Sequence, residues 1–112
     1  MSLESTEAEC AAKAVAPRVS LKDITRAIDC VYHATGAQAI GDSTPQHPSL
    51  DVLSICLVVM TNGFIVIGKS APASPENFDA ELGKKLAYED CIRQLWPLMG
   101  FALREKLSQS GA

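Results

Sequence analysis

Side chains able to do chemistry are few in this sequence and widely spaced. Asp29 and His33 stand four apart, the separation at which a carboxylate on a helix orients an imidazole as a general base. The nearest hydroxyls, Thr35 and Ser43, sit in no nucleophile motif, so a solvated pair is expected and no catalytic residue is assigned. The two histidines, His33 and His47, have neither HxxxH nor HExxH spacing, and Cys10, Cys30, Cys56 and Cys91 form no CxxC. No metal site is therefore expected. The usual glycine-rich phosphate loops are absent as well, and no cofactor is expected. Ser74-Pro75-Glu76-Asn77 can open a helix whose N-terminus would attract an anion, but Glu76, Asp79 and Glu81 crowd that end with negative charge. Arg93, Arg104 and Lys106 form a small basic cluster that suits a helix C-terminus. Trp96-Pro97 is the most distinctive dipeptide, read first as a core anchor beside a bend and second as the mouth of a groove opened by that bend. The candidate binding residues are Lys69, Asn77, Arg93, Trp96 and Arg104.

The elements that must position these groups fit one domain of 112 residues. Apolar residues make up 47%, enough for a small core without staples. The net charge of −3 argues against a phosphate backbone as main partner, and nucleic acid is disfavoured. MSLESTEAE is acidic and has no apolar run, so no secretory leader is expected. Reduced thiols in a bacterial cytoplasm, with no membrane span, follow as the expectation.

Residues 1–17 lack large apolar side chains and are expected as a flexible tail before a single domain over 18–107; residues 108–112 are expected as a disordered tail. Ser20 and Asp23 form a capping box, and Leu21, Ile24, Ile28, Val31, Tyr32 and Thr35 fall at helical spacing, predicting a helix over 20–35 that stops at Gly36. Residues 36–49 read as a loop. Leu50–Thr61 and Phe64–Ser70 are aliphatic runs joined by Asn62-Gly63, which predicts a hairpin with a type I′ turn. That turn sets Val59 opposite Val66 and Leu57 opposite Gly68 on one face, with Met60 opposite Ile65 and Val58 opposite Ile67 on the other. Ser74 then caps a helix with Pro75 in its first turn and Asp79 near its positive end. It runs to about Leu107, with Leu82, Leu86, Ile92, Leu95, Trp96, Met99, Leu103 and Leu107 as its stripe and Gly83, Ala87 and Cys91 as a narrower stripe of small residues beside it. Pro97 should kink this helix. The expected class is α+β in the order α-β-β-α, two helices packed on an antiparallel hairpin.

Asn62-Gly63-Phe64, Ser74-Pro75-Glu76-Asn77-Phe78-Asp79, Trp96-Pro97-Leu98 with Gly100, and Leu103-Arg104 with Lys106-Leu107 occur here in fixed order. With Val19–Ile24 before them, they resemble a family of small phage and prophage proteins named for gene product 49 of one enterobacterial phage and gene product 66 of another. The resemblance covers most of residues 19–107. It implies a phage or prophage origin and carries no established activity.

The functional expectation is a non-enzymatic phage accessory protein that binds a host macromolecule. The alternative is a small-ligand protein that sequesters a nucleotide signal, with loop 36–49, Lys69 and the kinked helix as walls. A metal-dependent enzyme ranks third, for want of a metal motif. Apolar residues on both hairpin faces lead to the further expectation of a homodimer joined through the hairpin.

Overall fold

The computed structural model describes residues 3–13 and 16–111, in which one long helix lies across a three-stranded antiparallel sheet. The elements in chain order are α1 (Leu3–Lys13), α2 (Leu21–Arg26), β1 (Ile28–Thr35), α3 (Gly36–Ile40), β2 (Ser54–Met60), β3 (Ile65–Ser70) and α4 (Ala80–Gln109), with short 3₁₀ turns at Pro48–Val52 and Pro75–Asn77. The class is α+β and the chain closes on a long helix, as the residue pattern implies.

The first expected helix is half a helix. Ser20 and Asp23 do close a capping box, Ser20 Oγ accepting from the Asp23 N–H at 3.0 Å and Asp23 Oδ2 from the Ser20 N–H at 2.9 Å. After Arg26, however, the chain extends into β1, which pairs with β2 from Thr35↔Ser54 to Ile28↔Met60 with a bulge between Ile28 and Cys30. Ile28, Val31, Tyr32 and Thr35 are β-branched or aromatic and suit a strand. A vacant edge on β2 takes them, and the two-stranded hairpin becomes a three-stranded sheet. Gly36 does not end a helix. Thr35 caps the short α3 that begins there, in a second capping box with Gln38.

The hairpin turn is one residue longer than a type I′ turn. Gly63 N–H donates to the Met60 carbonyl at 2.8 Å, Met60 N–H donates to the Phe64 carbonyl at 2.8 Å, and Gly63 has φ +87° while Asn62 stays at negative φ. This is a type I turn followed by a left-handed glycine bulge over Thr61-Asn62-Gly63. The extra residue shifts β3 by one, so Val58 faces Val66, Leu57 faces Ile67 and Val59 faces Ile65. A one-residue slip exchanges the faces of a strand. Val66 therefore joins Val58 and Met60 in the core, and Ile65 and Ile67 turn to the other side.

The core is Ile24, Cys56, Val58, Met60, Val66, Ala87, Cys91, Ile92 and Leu95. The stripe of small residues on α4 packs on the sheet together with Ile92 and Leu95 of the larger stripe, while Leu82 and Leu86 are exposed. A Cβ on Gly83 would lie 2.3 Å from Ser54 Oγ, so helix and strand approach closely there. Ser74 makes no side-chain cap and opens only the 3₁₀ turn. Asp79 caps α4, its Oδ1 accepting from the Glu81 and Leu82 N–H groups at 3.0 and 3.1 Å. Pro97 lies inside α4 and the helix continues through it, the missing N–H leaving the Arg93 carbonyl without its helical donor.

Residues 3–13 of the expected tail form α1, whose Glu7 binds the Arg18 guanidinium through both carboxylate oxygens. Residues 1, 2, 14, 15 and 112 of the expected tails lie outside the described residues. The radius of gyration is 17.1 Å against about 13 Å for a compact chain of this size, and the long dimension is 56 Å. The excess comes from α4, which runs past the Asn62-Gly63 turn beyond the sheet.

Candidate functional site

With the register fixed, the two faces of the sheet can be read row by row, because residues opposite each other share a face. On the side covered by α4 the rows are Val31-Val58-Val66, His33-Cys56-Gly68 and Thr35-Ser54-Ser70. On the other side they are Cys30-Val59-Ile65, Tyr32-Leu57-Ile67 and Ala34-Ile55-Lys69. The paired rows of the open face are thus more apolar than those of the covered one, with Lys69 at a corner and Asp29, at the bulge, near enough to Tyr32 to interact electrostatically with its hydroxyl. Tyr32, Ile65 and Ile67 are 57%, 56% and 61% exposed. An antiparallel sheet with a wetted face normally carries polar residues there.

The edges differ too. The Asp90 carboxylate on α4 accepts the outward Lys69 N–H at 3.0 Å, and Gln94 Nε2 donates to the Ile67 carbonyl at 2.7 Å. Side chains of α4 therefore occupy the backbone groups along the outer edge of β3. The β1 edge has no such cover and ends in the Ile28–Cys30 bulge.

The middle of α4 separates two clefts. One, of about 340 Å³, lies where the hairpin turn meets the helix and is lined by Met60, Phe64, Leu95, Leu98, Met99 and Ala102 among others. Phe64 on its rim is 53% exposed, and Phe101, one turn from Leu98, is 70% exposed. The other, of about 620 Å³, lies between α1 and α4 and brings Arg18, Arg93 and Trp96 together with Leu3 and Leu103. Trp96 is half-buried against the core, and its Nε1–H donates to the Val19 carbonyl at 3.3 Å. Arg93 reaches Glu89 only at 3.9 Å.

Of the candidate binding residues, Arg93 and Trp96 share this second cleft. Asn77 lines a separate, shallow pocket with Phe78 and Leu82. Lys69 is on the open sheet face, and Arg104 is exposed on the last turns of α4. Loop 36–49, partly wound into α3, and Lys69 do not converge with Trp96. Asp29 and His33 lie on a strand, where four residues span roughly 13 Å, so the carboxylate does not orient the imidazole. His47 caps a 3₁₀ turn, its Nδ1 accepting from the Ser49 N–H at 3.1 Å. Among the described residues no group of three His, Cys, Asp or Glu side chains is arranged to hold a metal ion. Cys91 Sγ points at the Cys56 carbonyl at 3.6 Å, and burial pushes its thiol up to about 12. Burial also raises the Cys56 thiol. Neither is a nucleophile at neutral pH.

Motif residues thus gather around α4: Asn62 and Phe64 of the turn meet Leu98 at one cleft, and Trp96 and Gly100 line the other. A sequence model of the "Phage protein (N4 Gp49/phage Sf6 gene 66) family" matches residues 19–107, most of the chain. The chain belongs to this family. No curated protein and no solved structure matches it. In this member of the phage family, no helix among the described residues is long and apolar enough to cross a membrane. The sequence implies an apolar hairpin face open to a partner, and the longer turn changes its membership, placing Ile65 and Ile67 rather than Val66 with Leu57 and Val59.

Proposed function

We propose that this phage protein is a non-enzymatic accessory factor that binds a host protein in the cytoplasm of the infected cell. One observation carries the reading: the apolar cleft between the hairpin turn and α4 is lined by exposed Phe64 and Leu98, and exposed Phe101 follows three residues after Leu98 along the helix. Aromatic anchors beside a pocket that accepts one or two side chains are how a groove holds the apolar face of a partner helix. A photo-crosslinking residue at Phe101, with one at Gln109 as control, identifies the partner in infected cells. The purified pair is then titrated. Saturable binding that weakens at least tenfold in Phe64→Ser and Phe101→Ser supports the reading. Binding indifferent to both substitutions contradicts it.

A second reading, a small-ligand protein that sequesters a nucleotide signal, draws on the cleft that holds Arg18, Arg93 and Trp96. A base stacked on Trp96 would leave its phosphate near the Arg93 guanidinium. A rise in melting temperature with a nucleotide, lost in Arg93→Gln, would favour it over the first.

A further inference from the structure

We infer that two copies of this chain pair face to face through the open side of the sheet, a surface separate from the cleft assigned above to a host protein. The starting point is the inversion of polarity between the two faces. The side packed on α4 carries the Thr35-Ser54-Ser70 row, while the paired rows of the uncovered side are apolar but for Lys69 and the Tyr32 hydroxyl, with Asp29 beside them at the bulge. A water-facing sheet with Leu57, Ile65 and Ile67 across its middle is the surface that soluble monomers avoid.

The second copy is the occupant because the face complements itself. A two-fold axis parallel to the strands lays β1 of one copy over β3 of the other. Cys30 then falls on Ile65 of the second copy, Tyr32 on its Ile67, Ala34 on its Lys69, and Leu57 on its own equivalent. Cys30 and Ala34 are small where the facing column has Ile65 and Lys69, and Tyr32 meets Ile67 at the middle, so the sheets stack as in a sandwich ~10 Å apart. The two Lys69 residues fall at the same end of the strands on opposite edges of the stack, where their ammonium groups reach water from the rim. Two closed faces bury on the order of 1,000 Å² in total, the lower bound of a specific interface.

Edge-to-edge pairing is closed on one side by Asp90 and Gln94, which already occupy Lys69 N–H and the Ile67 carbonyl, and blunted on the other by the Ile28–Cys30 bulge. Pairing along β1 beyond the bulge would still leave the apolar face wet, and stacking covers it.

Light scattering on the full chain from about 5 to about 500 µM, which brackets micromolar dissociation constants, tests the inference. The wild type should reach the mass of two chains. Ile67→Glu, at a largely exposed position, should return one folded chain with an unchanged far-ultraviolet spectrum, and Phe101→Glu should leave the pair intact. Should Ile67→Glu fail to fold, Ile65→Lys in the neighbouring row is read in the same way. A wild type that stays single at the highest concentration overturns the inference. So does a pair that survives the face substitutions or dissociates on Phe101→Glu, which would move the contact to the cleft beside α4.

Discussion

A Cβ on Gly68 would lie 2.1 Å from the Ala87 carbonyl oxygen and 2.7 Å from Cys91 Sγ, so β3 and α4 touch backbone to backbone at this point. Nothing flexible stands in the way that could move aside. Gly68→Ala should therefore lift the helix from the sheet and cost at least about 1–3 kcal/mol, the range for overpacked cores. Gly100→Ala is the control, because no atom lies within 4 Å of the added methyl. In the interior of α4 it should be neutral or stabilise by up to about 1 kcal/mol. Urea unfolding of the two variants beside wild type checks both.

Gly63 holds φ +87° at the bulge of the hairpin turn. A β-branched residue resists that conformation, so Gly63→Val should be severely destabilising, at about 1–2 kcal/mol for the backbone alone. Gly63→Asn should cost less, since asparagine visits this region. Midpoints of urea denaturation separate the two.

The hairpin, its strands and the Asn-Gly signal were legible in the sequence, yet the face each residue occupies was not. Asn-Gly serves a two-residue turn and a three-residue turn equally, and only the Met60–Gly63 and Met60–Phe64 backbone bonds decide between them. Ile28, Val31, Tyr32 and Thr35 fit a helix and a strand alike, and the choice is made by the free edge of β2, which no local window reveals. Asp79, rather than Ser74, begins α4 because Pro75 starts a separate 3₁₀ turn three residues long. The small stripe Gly83-Ala87-Cys91 was visible as a place of close approach, and there the structure packs the sheet. In the candidate site, Arg93 and Trp96 are one helical turn apart and so were bound to be neighbours. Phe64 with Leu98 was not readable, because it depends on where α4 crosses the turn.

Trp96 is half-buried and its indole N–H is bound by the Val19 carbonyl. Trp96→Ala should cost somewhat less than the ~3–5 kcal/mol of a fully buried tryptophan, and should harm folding more than binding in the Phe64–Leu98 cleft. Hydrogen exchange at Val19–Ile24 should accelerate with it, as α2 loses its tie to α4. A variant that melts like wild type would move Trp96 from the core to the functional surface.

The Arg18 guanidinium holds the Glu7 carboxyl below the usual carboxylate range through its hydrogen bond. A carboxylate with a depressed folded-state pKa contributes stability above its unfolded value, and loses that contribution as pH falls through the folded one. The docking of α1 should therefore be constant at neutral pH and weaken below about pH 4, near the ordinary range for glutamate. Arg18→Gln should remove this dependence. Hydrogen exchange within residues 3–13 at pH 6 and at pH 3 provides the reading.

The most direct test of the open face as an interface is the rate of thiol alkylation, followed residue by residue as protein concentration rises. Cys56 and Cys91 are buried and should stay unmodified in the native state, while Cys10 and Cys30 are exposed in the single chain. Cys10 is the internal reference, since it lies on α1 away from the sheet. The account predicts that the rate of Cys30, in the Val59-Ile65 row, falls several-fold relative to that of Cys10 as the concentration rises to roughly several hundred micromolar and the pair forms. A Cys30 that keeps pace with Cys10 at every concentration would contradict it.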